Sequence, residues 1–187
     1  MQAQLSRVRS RKLLNPSHRG ASLLYLPEED RSVATQGLKF ILQLAQTINP
    51  QIKPEQPLEL DLNQLRHLPQ GTLGREVARF LDEHGFEPLN SGDWIQRSHD
   101  VWHVLTGLSP SAEDELILQA FTRAQLFRPS CAVLVLLGLL TRRCSLGDIL
   151  KAIHYSRLSD RLVEWNIEED WTTPLGEVRN KLGVVPF

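Results

Sequence analysis

His99, Asp100, His103 and Glu115 place four potential metal ligands within seventeen residues. His99 and His103 are four apart, so on a helix they stack on one face. The segment around them reads as helical. Trp94, Ile95, Val101, Trp102, Val104 and Leu105 form an apolar side, and Gly107 supplies a stop. A second helix start follows, with Ser109 as N-cap, Pro110 at the first helical position, and Glu113 and Asp114 at the positive end of the dipole. Two helices joined so closely are expected to lie antiparallel. His103 then lies about 6 Å before the turn and His99 about 12 Å before it, at 1.5 Å per residue. Glu115, six residues past Ser109, falls about 9 Å along the returning helix, between the two histidines.

Two imidazoles and a carboxylate so arranged could converge on one cation. Zinc accepts that set, and so does non-haem iron. Asp100 is rotated about 100° from His99 on an ideal helix. Three roles are open to it: ligation through water, ligation from a distorted turn, or orientation of a histidine as an acceptor behind the ligands. The plain alternative is a polar helix face, which would explain the same residues without a metal. The residue after His99 is Asp, so the pattern is not the zinc-protease H-E-x-x-H. A nucleotide phosphohydrolase built on a His-Asp doublet would need further His and Asp ligands on separate helices.

The chain that must position these groups has 187 residues, enough for one domain with a proper core. At 41% hydrophobic and 23% charged it reads as globular. The net charge of −1 is unevenly spread: residues 1–20 hold Arg7, Arg9, Arg11, Lys12 and Arg19 and no acid. Residues 1–24 therefore read as a basic, flexible arm ahead of a domain over 25–187. A transit peptide, an arm that touches anionic lipid and a frayed tail are the readings open to it. Nothing basic and aromatic continues beyond the arm, which argues against nucleic acid. Cys131 and Cys144 are the only cysteines and make no C-x-x-C, so a reduced compartment is expected. The longest apolar run, Cys131 to Leu140, is too short to span a bilayer, which takes about twenty residues.

In chain order, Pro27-Glu28-Glu29-Asp30 begins a helix whose apolar stripe runs to Ile48 and stops at Asn49-Pro50. Residues 51–57, with Pro54 and Pro57, form a loop. A short helix capped by Asp61 lies within 58–68. Pro69 to Thr72 turns into a helix lined by Leu73, Val77, Phe80 and Leu81 and ended by Gly85. Arg75, Glu76, Arg79, Asp82 and Glu83 form its solvated face. Asn90-Ser91-Gly92 leads into the histidine helix. The helix after Ser109 carries Leu116, Ile117, Ala120, Phe121, Ala124 and Phe127 and closes at Pro129. Residues 131–140, apolar on nearly every side, are expected as the central buried helix, or else as the wall of an apolar cavity. Ser145 with Asp148 resembles a capping box for a helix to about Leu162. Thr173-Pro174 begins a last helix ending at Gly183. No strand alternation persists. The expected fold is all-α, a single compact helical domain of about seven helices with the metal site on an antiparallel pair.

The ligand stretch and its flanks resemble the coenzyme Q biosynthesis protein 4 family. Its H-D-x-x-H-x11-E signature stands complete as His99, Asp100, His103 and Glu115. Leu68 to Glu76, with Phe80 and Leu81, resembles its L-P-x-G-[ST]-L-G-R-E…F-L segment. Phe121, Gln125 and Pro129 fall where the family has F-E-x-x-Q-x-x-x-P, with Thr122 in place of the usual Glu. Trp171 and Leu175 to Gly183 resemble its closing segment. The resemblance covers about residues 25–187.

It implies an all-helical fold and a divalent metal, usually zinc; the chemistry of the ligands and of a phosphate head group leaves iron and magnesium as alternatives. It assigns His99, Asp100, His103 and Glu115 as ligands through which catalysis would run. It implies ubiquinone or related prenylquinone biosynthesis by metal-dependent oxidative decarboxylation of a polyprenylated hydroxybenzoate. The other reading is a non-catalytic prenyl-lipid scaffold that organises the quinone-biosynthesis complex. The implied partners are a prenylated lipid or quinone intermediate, a peripheral membrane surface, other quinone-biosynthesis proteins and a second copy of the chain. The implied site is the cytoplasmic face of the membrane in a bacterium, or the mitochondrial inner membrane in a eukaryote. Zinc cannot transfer electrons, so oxidation would need oxygen chemistry on the substrate or a redox metal.

Overall fold

A computed structural model describes residues 43–50, 58–89 and 93–187. The expected helix start at Pro27, the basic arm, the 51–57 loop and the Asn90-Ser91-Gly92 lead-in lie outside the described residues. After a helical stretch over 43–47, the described residues form α1 (Leu62–Arg66), α2 (Leu73–His84), α3 (Trp94–Thr106) and α4 (Ala112–Gln125). There follow α5 (Pro129–Leu140), α6 (Leu146–Leu158), two 3-10 turns (Leu162–Glu164 and Ile167–Asp170) and α7 (Leu175–Lys181). The described residues contain no strand, only an isolated bridge between Thr72 and Pro174. The all-α expectation holds.

Local chemistry sets most of these boundaries. Asp61 accepts the amides of Asn63 and Gln64 and opens α1. Leu73, Val77, Ala78 and Leu81 follow the helical period and are buried without remainder. Gly85 and Gly107 end α2 and α3 in the left-handed region, at φ 66° and 74°, where a side chain would be strained. Asp93 and Gln96 close a reciprocal capping box at the start of α3.

Four expectations are corrected. Helix α4 is capped by Ser111, not Ser109, and Pro110 precedes it. The Asp114 carboxylate takes both the amide (2.8 Å) and hydroxyl (2.5 Å) of Ser109, which keeps Ser109 outside the helix. Phe127 lies past the end of α4, 61% exposed beneath the Arg123 guanidinium. Helix α5 is not the central helix. Only Ser130, Cys131, Leu134 and Gly138 are buried on it, while Leu136 is 57% and Leu140 71% exposed. The centre is α4, buried at every position from Glu115 to Thr122, with α5 and α6 packed along it. Gly138 allows the close seat of α5 on α4: a Cβ there would stand 2.5 Å from Leu116 Cδ1. Helix α6 also stops earlier than expected, at Leu158.

The C-terminal residues clamp the two ends of the site's support. Leu73, Gly74 and Leu175 amides bond to Thr173, Trp171 and Gly71 carbonyls, which joins the start of α2 to the start of α7. Arg179 donates from Nε to Leu105 O and from Nη2 to Val104 O, both at 2.9 Å, and the Phe187 amide donates to Thr106 O. Orphan carbonyls at the C-terminus of α3 thus acquire partners.

Candidate metal centre

Helix α3 presents His99 and His103 one turn apart, and α4 brings Glu115 from its first turn. The three ligand atoms form a nearly equilateral triangle. His99 Nε2 lies 3.1 Å from Glu115 Oε2, His103 Nε2 lies 3.2 Å from the same oxygen, and the two Nε2 atoms are 3.2 Å apart. His103 and Glu115 are 2% and 3% exposed at their side chains, and His99 is 16% exposed on the open side.

His103 and Glu115 are each held from behind. His103 Nδ1 is 3.1 Å from Leu108 O, and the carbonyl can only accept, so Nδ1 carries the proton. That assignment leaves the Nε2 lone pair of neutral His103 facing the triangle. The His103 ring also stacks on Phe80 at 5.4 Å. Gln119 Nε2 donates to Glu115 Oε1 at 2.8 Å, which turns the other oxygen toward the histidines. Neutral His103 Nε2 and Glu115 Oε2 are then two acceptors 3.2 Å apart, an arrangement that calls for a cation or an extra proton between them.

The edges suit a metal. A tetrahedral ion bound at about 2.0–2.1 Å requires ligand atoms about 3.3–3.4 Å apart, and a facial octahedral set about 2.9–3.0 Å. The observed 3.1–3.2 Å lies between. Three protein ligands would leave positions for water or substrate, as catalytic zinc sites do.

The electrostatics follow the same geometry. Without a cation, an extra proton fills the same role: burial opposes ionisation of Glu115, but the facing imidazoles in their protonated form outweigh it and hold the carboxyl well below the ordinary range. Burial opposes protonation of His99, yet Glu115 and Asp100 together raise its pKa. Asp100 lies apart from the convergent set. Burial raises its pKa, against the pull of the two histidines.

Of the four residues singled out in the sequence, the structure therefore brings together His99, His103 and Glu115. Gln119, Phe80 and the Leu108 carbonyl were not anticipated. Gln119, one turn after Glu115, was the one with a readable signal. Thr122, at the position where the family usually has Glu, is buried, and its hydroxyl has no hydrogen-bond partner among the described residues. Cys131 and Cys144 are free and buried, and burial pushes the Cys131 thiol up to about 11.

Residues 93–187 match the family model described as coenzyme Q (ubiquinone) biosynthesis protein Coq4. The mitochondrial ubiquinone biosynthesis protein COQ4 homologue of Mus musculus is 30% identical over 147 residues, 68% of this chain and 55% of that protein. The Homo sapiens homologue is 27% identical over 145 residues, 67% of this chain and 55% of that one. The chain thus spans about half the length of the curated relatives it matches. A crystal structure of a putative ubiquinone biosynthesis protein from Nostoc punctiforme shares the fold at a TM-score of 0.56 and 23% identity, covering 80% of this chain and 79% of that one. With the matched segment beginning at the cap of α3 and containing all three converging ligands, the chain belongs to the coenzyme Q (ubiquinone) biosynthesis protein Coq4 family.

Proposed function

We propose that this protein is a metal-dependent enzyme of ubiquinone or related prenylquinone assembly. Its reaction is the oxidative decarboxylation of a polyprenylated hydroxybenzoate. The ring carboxylate leaves as carbon dioxide and a hydroxyl takes its place, its oxygen coming from dioxygen, whose second atom leaves as water with two protons and two electrons from an external reductant. The observation that carries the reading is the buried triangle of two imidazole nitrogens and one carboxylate oxygen.

A divalent cation, zinc first and iron or magnesium as alternatives, would supply Lewis acidity toward the carboxylate or phenolate of the ring. His99, His103 and Glu115 would hold it. Glu115 offsets one of its two charges, and Gln119 keeps that carboxylate turned inward. His99, the most exposed of the three, marks the side from which a ring could approach. Asp100, adjoining it on α3, would act through water or as an acceptor behind the ligands. The membrane-dissolved isoprenoid tail makes a peripheral membrane position part of the proposal. Other quinone-biosynthesis proteins and a second copy of the chain are the proposed partners. The membrane would be the inner mitochondrial one in a eukaryote, as the relatives' names say of those proteins, and the cytoplasmic one in a bacterium.

The experiment is turnover and lipid binding by the purified protein and by Glu115→Gln. An enzyme forms product steadily without partner proteins, and the substitution abolishes turnover while lipid binding largely survives. Lipid binding that weakens in Glu115→Gln, with no turnover in either protein, would replace the enzyme by a prenyl-lipid scaffold.

A further inference from the structure

The face of α5 turned away from α4 has no cover among the described residues. Leu136 and Leu140 stand out from it, 57% and 71% exposed. The turn that follows carries Arg142 and Arg143, both exposed, and the first turns of α6 add Leu146 and Leu150, 59% and 57% exposed. Four exposed leucines and two exposed arginines thus fall within fifteen residues of chain around one turn. A lone exposed leucine needs no explanation, whereas a concentration of this kind marks an interaction surface.

We propose that the corner formed by α5, the 141–145 turn and α6 docks on an anionic lipid bilayer. Two features favour lipid over a protein partner. From Ala132 to Leu140 no side chain offers a hydrogen-bonding group. Protein interfaces carry about one hydrogen bond per 100–200 Å², but hydrocarbon offers none to match. The arginines adjoin the apolar residues at the turn, where long cationic side chains can reach lipid phosphates while the leucines enter the acyl boundary. The nearby carboxylate of Asp148, which accepts the Ser145 hydroxyl at 2.6 Å, keeps its charge but makes no ion pair with either arginine among the described residues. No described helix is long and apolar enough to cross a membrane, so contact of this kind lies on the surface. The inference deepens the preceding reading, because a prenylated ring would be collected from the bilayer.

The test is flotation of the full chain with vesicles of mixed phosphatidylglycerol and phosphatidylcholine, and with phosphatidylcholine alone. Wild type is expected to float with the anionic vesicles and poorly with the neutral ones. Arg142→Glu with Arg143→Glu, an exposed pair with no packing to lose, should weaken binding by about tenfold or more. Leu136→Ser with Leu140→Ser should weaken it on both vesicle types. Leu140→Cys, labelled with a polarity-sensitive fluorophore, should shift to the blue on anionic vesicles, since both native cysteines are buried. Flotation unchanged in both double variants would overturn the proposal and leave the basic arm as the contact. Failure of the wild type to float would also overturn it. So would a dimer that the serine variants convert to monomer without change in flotation, because the face would then join two copies. His103→Ala should float like wild type, so loss of docking and loss of the metal reading are separable.

Discussion

Replacing Gly138 by Ala sets two known effects against each other. A helical glycine costs about 0.8–1.0 kcal/mol relative to alanine, so on propensity alone the change stabilises. The structure places the new Cβ 2.5 and 2.9 Å from the two methyls of Leu116 and 3.1 Å from Cys144 Sγ. Ordinary carbon contacts lie near 3.5–4.0 Å, so α5 must move off α4 by about 1 Å or Leu116 must leave its rotamer. Overpacking of this kind costs typically about 1–3 kcal/mol. The net is a loss of about 1 kcal/mol, or a fall of about 2–4 °C in melting temperature for a chain of this size. Gly176 in α7 is the control. Nothing stands within 4 Å of its added Cβ and its φ is not positive, so Ala there should raise stability by about 0.5 kcal/mol. Calorimetry of both variants reads the signs directly. Adding Leu116→Val to Gly138→Ala should recover part of the loss, a coupling visible as non-additivity. If Gly138→Ala melts above wild type, α5 is not seated on Leu116 as described and the placement of α4 at the centre is wrong.

Two further outcomes follow from the same contacts. Arg179→Met removes two charged hydrogen bonds to the carbonyls of Val104 and Leu105 and should cost about 2 kcal/mol, with weaker zinc binding because His103 hangs from that last turn; thermal melts and chelator competition check both. Burial opposes ionisation of Asp170, but Lys181, the Trp165 indole and Thr173 outweigh it and hold its carboxyl below the ordinary range. Its folded pKa is depressed, so its stabilisation is present above the unfolded pKa of about 3.9 and lost as pH falls through the folded value. Asp170→Asn should therefore be less stable than wild type at pH 7, with the gap closing below about pH 4 in denaturant titrations; a constant gap would remove the ionic part of the argument.

Much of this fold could be read from local chemistry. Asp61, Gly85, Gly107 and the Ser145–Asp148 pair mark helix ends because caps act within one turn of chain. Ser109 was a weaker guide. Ser109-Pro110-Ser111 offers two caps two residues apart, and the choice depends on Asp114 reaching back to the first. Helix α5 departs from its expected place for a different reason: composition says what a helix can bury, and only tertiary packing says which face is covered. Its unbroken apolar run concealed a single buried stripe. The converse held for α4, whose Glu115, Gln119 and Thr122 suggest a solvent face yet are all buried. Glu115 and Gln119 are inside because the site is inside. The i, i+4 rule was enough to pair His99 with His103, and the arrival of Glu115 between them needed only a short connection. Asp100 stayed ambiguous because its rotation about the helix admits several roles, and the structure sets it beside the triangle rather than within it.

The central claim is that His99, His103 and Glu115 hold a divalent cation. Elemental analysis of the purified protein beside His103→Ala tests it most directly. Close to one metal ion per chain is expected in the wild type, lost in the variant while the helical fold persists. Zinc would favour Lewis-acid chemistry and iron oxygen activation. If neither protein carries metal, and none binds when zinc, iron or magnesium is supplied, the triangle is a proton-sharing cluster and the metal-dependent reading is contradicted.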